Sequence, residues 1–213
     1  MRLLERLYRS PFGQPLSFIA HVVARLQRPF MVYGYWDPGS RCFRKFVRMS
    51  STVTIMNRSK LYVGNDVWVW HHSILDATEG LQIGEGCQIG AWVGIFTHGS
   101  ENSIRLLGSR FVHILNNERP GYTRGPVKIG AYTFVGAGSV ILPGVAVGKG
   151  CLIGTGTLVA QDVPDHSVFV GWPGKVRGST IDLDRRQFHE MDYSATYYDP
   201  DALAKILGDC VAD

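Results

Sequence analysis

Charge is scarce in this chain: Asp, Glu, Lys and Arg make up 19% of its 213 residues, against about 25% in an average soluble domain. With 45% hydrophobic residues, the composition argues against disorder, which needs low hydrophobicity and high net charge. Cysteine is rare and scattered. Cys42, Cys87, Cys151 and Cys210 form no CxxC pair, which argues against a zinc knuckle or a disulfide framework and fits a reducing cytoplasm. Long apolar runs are missing too. The longest, Leu16 to Leu26, is interrupted by His21 and Arg25 and falls short of the roughly 18–20 residues a bilayer requires. Met1-Arg2-Leu3-Leu4-Glu5 carries an early acid and leads to no small-residue cleavage site, so no secretory leader is expected.

Glycine, by contrast, is abundant at 25 residues, against a usual share of roughly 7%. Without a collagen period and beside many Val and Ile, it indicates an ordered β protein rich in tight turns. The formal net charge of +4 hides an asymmetry. Residues 1–60 carry 11 Lys and Arg against Glu5 and Asp37, while residues 161–213 carry ten acids against five bases. A basic arm of this kind suits an anionic surface; a solvated helix face, or a match to the acidic tail, is the plainer explanation. Nucleic acid is not expected as a partner, and a peripheral contact of the arm with the inner membrane surface stays open.

A fixed period organises the middle of the chain. Aliphatic residues recur every six positions at Ile129, Val135, Ile141, Val147, Ile153 and Val159, and earlier at Val63, Val69, Leu75, then Ile83, Ile89, Ile95. Gly follows seven of these twelve residues. Four places after most of these aliphatics sits a small or β-branched residue, as at Ser73, Cys87, Thr133, Ser139, Val145, Cys151 and Thr157. A period of six fits neither a helix nor a simple alternating strand. It fits a short strand, a corner, and a repeat, with one side chain per side pointing inward and glycine easing the corner. Three sides close one triangular coil, so residues 61–96 predict about two coils and 127–162 about two more.

These repeats resemble those of the hexapeptide-repeat acyltransferases. So does the segment Asp162-Val163-Pro164-Asp165-His166-Ser167 followed by Val170-Gly171-Trp172-Pro173-Gly174-Lys175, which is similar to that family's closing D-V-P-x-x-S…V-G-x-P-A-K, with Gly174 in the place of Ala. The resemblance implies an all-β fold, a left-handed parallel β-helix, and a homotrimer with clefts between neighbours. It also implies acetyl-CoA as co-substrate. The expected organisation is a basic helical cap at 1–50, a β-helix domain at 51–178 and an acidic tail with a short helix at 179–213. Within the cap, Pro15 to Gln27 reads as an amphipathic helix. Within the tail, Pro200 to Leu207 reads as a helix, and Tyr193, Tyr197 and Tyr198 precede it without a recognisable motif.

The repeat breaks once, between about Thr97 and Pro126, and a structureless insertion of that length is usually functional. It contains His98, Glu101, Arg105 and His113. Acetyl transfer to a hydroxyl needs a base, and histidine suits that role. By resemblance His98 is the expected base, with Glu101 or His113 as alternatives, because the family's histidine usually falls two or three places later. His71, His72, Asp76 and Arg105 are expected around a sugar acceptor. The donor contacts carried over are Ala137, Thr155, Ala160 and Gln161, with Lys175 and Arg177 facing the nucleotide phosphates.

The function expected is acetyl transfer from acetyl-CoA to a hydroxyl of a sugar or surface-polysaccharide intermediate, without metal or covalent intermediate. An amino sugar is the neighbouring alternative. A serine acetyltransferase is disfavoured because that family carries a longer helical N-terminal domain. A γ-type carbonic anhydrase shares the fold but brings an H-x4-H spacing not seen here. The remaining rival is a non-catalytic trimeric scaffold.

Overall fold

The computed structural model describes residues 28–209 together with Ser10, Pro11, Pro15, Phe18 and Ile19. The chain falls into two compact units, residues 1–30 and 31–213. In the first, Pro15, Phe18 and Ile19 are helical; the rest of the helix expected over 15–27 lies outside the described residues. No helix among the described residues is long and apolar enough to cross a membrane.

The second unit is built on the six-residue period. All twelve periodic aliphatics are 3% exposed or less and line one continuous core. Short parallel strands stack on three faces. Face A takes Cys42–Ser50, Trp68–Val69, Gln88–Ile89, Phe134–Val135, Leu152–Ile153 and Ser167–Gly171. Face B takes Thr54–Met56, Ile74–Asp76, Gly94–Ile95, Val140–Ile141 and Leu158–Val159; face C takes Leu61–Val63, Leu81–Ile83, Val127–Ile129 and Ala146–Val147. The early turns put Trp68 opposite Gln88, a step of twenty residues, and the later ones put Phe134 opposite Leu152, a step of eighteen.

Backbone meets backbone turn after turn at two of the three corners. Between faces C and A, a Cβ on Gly64, Gly84 or Gly130 would lie 2.4–2.6 Å from backbone nitrogen of the next turn. Between A and B, Gly90 and Gly136 are equally confined. The fourth-place residues bind the turns together. Thr133 Oγ1 donates to Gly148 O at 2.8 Å and accepts from Cys151 N at 3.1 Å. Ser139 repeats the pattern with Gly154 O at 2.9 Å and Thr157 N at 3.2 Å, and Ser73 with Gly90 O and Val93 N. Each buried hydroxyl therefore has both a donor and an acceptor partner, which burial demands.

Several expectations need correction. Residues 31–50, read as part of a helical cap, form an antiparallel hairpin of Met31–Asp37 with Cys42–Ser50. Aromatic and β-branched residues favour strands, and Asp37 fixes the turn by accepting from Gly39 N and Ser40 N at 3.0 and 3.3 Å. The second strand ends on face A, where Arg48 and Met49 pair with Trp68 and Val69. Stacking thus starts ahead of residue 51 and runs on to Phe169, beyond the four coils counted from the repeat.

The insertion is not structureless: it holds a short helix, α1 (Ser103–Leu107), and 3₁₀ turns at Gly108–His113 and Asn116–Glu118. The tail holds two helices, α2 (Thr180–Phe188) and α3 (Pro200–Asp209). Only the second was expected; α2 is capped by Ser179, whose side chain accepts from Ile181 N at 3.1 Å.

A Cβ at Gly130 would sit 2.4 Å from Lys149 N, whereas one at Gly178 would meet nothing within 4 Å. Gly130→Ala should therefore destabilise the protein by about 1–3 kcal/mol, the usual cost of overpacking. Gly178→Ala should leave stability within about 0.5 kcal/mol of the parent. Urea unfolding of the two variants side by side checks this, and equal midpoints would contradict the stacking account.

Candidate active site

The corner between faces B and C differs from the other two. The residues after its periodic aliphatics are Asp76, Phe96, Leu142 and Ala160 rather than glycine. Every departure from the six-residue step also falls here: Ile55 to Val63, Leu75 to Ile83, and the long excursion from Ile95 to Ile129. Side chains and extra residues thus collect along one edge of the coil.

Asp76 ends its face B strand and is fully buried. Its Oδ2 accepts from Thr97 N at 2.9 Å and Thr97 Oγ1 at 3.0 Å, and its Oδ1 accepts from Thr78 N at 2.9 Å. Burial pushes this carboxyl up, but the hydrogen bonds from Thr78 and Thr97 outweigh it and hold the group below the usual carboxylate range. The same Oδ2 lies 2.7 Å from His98 Nδ1, and the His98 side chain is about a quarter exposed (26%). The Nδ1–H is not aligned on Oδ2 for a hydrogen bond in this conformation, but an ionised carboxylate at that distance favours the tautomer with the proton on Nδ1 and Nε2 as the acceptor. The arrangement is a histidine oriented from below by a buried acid, the form of a general base.

The root of the insertion holds His98 in place. His98 and Gly99 pair antiparallel with Arg124 and Thr123, and Gly125 N donates to Thr97 O at 3.0 Å. The imidazole stacks on Tyr122 at 5.8 Å between centroids and 15° between planes. The Arg124 guanidinium covers the Tyr122 ring at 4.9 Å and lies 3.9 Å from Glu79. The wall beside His98 is therefore aromatic and cationic.

The other expected residues divide into groups. Glu101 is exposed, and its Oε1 accepts from Thr123 Oγ1 at 2.6 Å. That bond, first among several causes, holds its carboxyl low. His113 ends a 3₁₀ turn and is exposed. Arg105 donates to Glu101 O and Asn102 Oδ1, just ahead of its own helix. Asp76, expected to face an acceptor, is turned inward instead, because its oxygens are taken by Thr78, Thr97 and His98.

His71 and His72 sit at the A–B corner, with face B between them and His98. His71 Nδ1 is 2.6 Å from Ser50 Oγ, and His72 stacks on Trp92 at 6.3 Å and 11°. The sequence reading grouped these histidines with Asp76 in one acceptor region, and within one chain they occupy different edges. Ala137 and Thr155 lie on the A–B edge, Ala160 and Gln161 on the B–C edge, and Lys175 and Arg177 on the exposed strand Gly174–Ser179. Gly174 itself is explained by packing: a Cβ there would lie 2.1 Å from the Phe169 ring.

Thr78, Thr97 and Tyr122 were missed by sequence reasoning. The coil register was the available signal, since pairing of Leu75 with Ile95 puts Asp76 one turn from Phe96 and beside Thr97.

Residues 126–161 match the family model for the bacterial transferase hexapeptide, six repeats. The coil carries that family's repeat. A Staphylococcus aureus (strain Mu50) protein provisionally named an acetyltransferase is 45% identical over 67 residues, which are 30% of this chain and 34% of that protein. The serine acetyltransferase of Escherichia coli (strain K12) is 27% identical over 194 residues, 88% of this chain and 64% of that enzyme. The hexapeptide-repeat chain thus spans between a third and two thirds of these curated relatives. Among solved structures, a maltose O-acetyltransferase from Clostridium difficile 630 superposes with a TM-score of 0.53 at 26% identity, covering 62% of this chain and 65% of that one. A galactoside acetyltransferase in complex with coenzyme A shares the fold, with a TM-score of 0.54 at 24% identity and 68% and 65% coverage.

The depressed Asp76 carboxyl has a pH consequence. A group held below its unfolded pKa of about 3.9 contributes stability above that value and loses it as pH falls through the folded pKa. Asp76→Asn should cost about 1–3 kcal/mol at pH 7, because an amide NH2 would face the Thr97 donors. The deficit relative to the parent should begin to shrink below about pH 4, where the unfolded chain's carboxyl takes up a proton that the folded, hydrogen-bonded one still refuses. Urea titrations at pH 7 and pH 3 measure both values, and a deficit that grows in acid would reverse the assignment.

Proposed function

We propose that this protein transfers acetyl from acetyl-CoA to a hydroxyl of a sugar, with His98 as general base. The observation that carries the reading is the 2.7 Å approach of buried Asp76 to His98 Nδ1. In this mechanism Nε2 takes the acceptor's hydroxyl proton as its oxygen forms a bond to the thioester carbonyl. Backbone amides steady the tetrahedral oxyanion. The carbon–sulfur bond then breaks, and the leaving thiolate of CoA recovers the proton from the imidazolium. Asp76 touches none of the reacting atoms; it positions the ring and its tautomer.

For the donor, Gly138 and Gly156 leave open space where a Cβ would stand. The backbone along the A–B edge is therefore bare, which suits the amide-rich pantetheine arm beside Ala137 and Thr155. Lys175 and Arg177 would meet the phosphates as point charge and fork. Since Ala137 and Thr155 lie on one edge, and Ala160, Gln161 and His98 on another, the complete site requires two chains. A homotrimer of left-handed coils, with one chain's A–B edge meeting another's B–C edge, supplies it.

The acceptor side rests on the aromatic and cationic wall of Tyr122 and Arg124 beside His98 and on the likeness to the maltose enzyme. The long match to a serine acetyltransferase makes an amino-acid hydroxyl the second acceptor class to screen.

Calorimetric titration of acetyl-CoA, with mass measured on the same sample, should give micromolar binding at one site per chain in a trimer. A folded trimer without binding would favour the scaffold. His98→Ala should lower turnover about 10²-fold or more with little change in CoA affinity. Activity that survives this change but is lost in His113→Ala would move the base elsewhere in the insertion.

A further inference from the structure

The hairpin that opens the second unit carries a surface the acetyl-transfer reading leaves unused. Tyr33 and Trp36 on its first strand and Phe43 and Phe46 on its second are each more than half exposed. Cross-strand register places Trp36 against Phe43 and Tyr33 against Arg48. Among the described residues the first strand pairs only with the second, which makes it the edge of the face A sheet there.

Interleaved with the rings are Arg41 at the tip, then Arg44, Lys45 and Arg48, with Arg58 and Lys60 following. Several cations lie over the rings themselves: Lys45 Nζ is 4.7 Å from the Phe46 centroid and the Arg48 guanidinium 5.1 Å from that of Tyr33. The single acid between residues 31 and 60 is Asp37. It is buried, accepts from Gly39, Ser40 and Ser40 Oγ, and lies 3.7 Å from Arg44. The hairpin itself thus carries no exposed acid; Asp66 of the neighbouring turn, which lines the same groove as Lys45 and Arg48, is a carboxylate beside its cations, and Arg41 at the tip stands apart from it.

We propose that this hairpin is a docking surface for an anionic lipid membrane, which it meets with the Trp36–Phe43 pair at the headgroup boundary and Arg41 and Lys45 on the lipid phosphates. Tyrosine and tryptophan favour that boundary. Basic residues near an anionic leaflet each add about 1 kcal/mol, on the order of fivefold in affinity. Charge complementarity selects lipid over a second copy of the same hairpin, because two such surfaces would repel. The aromatic pair selects lipid over nucleic acid, since Trp36 and Phe43 lie against each other across the strands rather than spread for bases to stack between. Docking by this surface would bring the catalytic coil to acceptors carried on lipid.

The test is cosedimentation of the full chain with vesicles of phosphatidylglycerol and phosphatidylcholine (3:1) and with pure phosphatidylcholine. Binding is expected on the anionic vesicles, with release by 0.5 M salt and none on the neutral ones. The double variant Arg41→Glu/Lys45→Glu should lose about thirtyfold in vesicle affinity, and Trp36→Ser/Phe43→Ser at least tenfold, each with parental acetyl-CoA affinity and mass. Absence of vesicle binding by the parent chain overturns the proposal, as does binding untouched in both variants. Variants that change the mass while vesicle binding persists would assign the surface to chain–chain contact. Tighter retention on a single-stranded oligonucleotide than on vesicles would assign it to nucleic acid. Since acetyl-CoA affinity is read independently, failure here leaves the acetyl-transfer reading standing or falling on its own experiment.

Discussion

The close approach of backbone to backbone at two corners is the constraint on which the rest depends. A Cβ at Gly64, Gly84, Gly90, Gly130 or Gly136 would penetrate the next turn. The turns must therefore stack in one register, which brings each periodic aliphatic above its equivalent and each fourth-place hydroxyl to the carbonyl it binds. Burial of the aliphatic column provides the hydrophobic driving force. The glycine columns decide at what spacing that force is satisfied, and the Ser and Thr ladder removes the polar penalty of packing so tightly.

The third corner meets this constraint at Gly125, where a Cβ would lie 2.5 Å from Gly144 Cα, but not at Asp76, and chemistry is concentrated there. Asp76 occupies the place taken by glycine at the other corners, and the room available to its side chain lets it reach Thr97 and His98 of the following turn. A carboxylate buried without partners would be neutralised. Thr78 and Thr97 prevent this, so that a charge persists beneath a half-buried imidazole. The site is in this sense a controlled lapse of the repeat: it uses the coil's rigidity while giving up its packing rule on one edge.

How much of this was legible follows from the same logic. The period of six exposed the core, the three-sided coil and the break at Thr97, because each depends on residue types repeated many times. The hairpin over 31–50 was misread because positive charge drew attention away from the strand character of Met31–Asp37 and Cys42–Ser50. The partnership of Asp76 with His98 went unseen because it depends on which residues stand one turn apart. That distance is twenty residues here and eighteen later. Ser179, a single capping hydroxyl, was too local a signal to announce α2 without the hairpin before it.

The root of the insertion has a last consequence. Gly125 N returns to Thr97 O, and the two-residue ladder of His98–Gly99 with Thr123–Arg124 closes the excursion where it begins. The coil beyond that seam does not register how long the excursion is, and the entropy of closing a loop grows only slowly with its length. Segments of quite different size and chemistry can therefore be exchanged between Gly99 and Tyr122 while His98 keeps its place. Under the proposed acetyl transfer, such a scaffold would let acceptor recognition change at little structural penalty while the donor edge of the coil stays as it is.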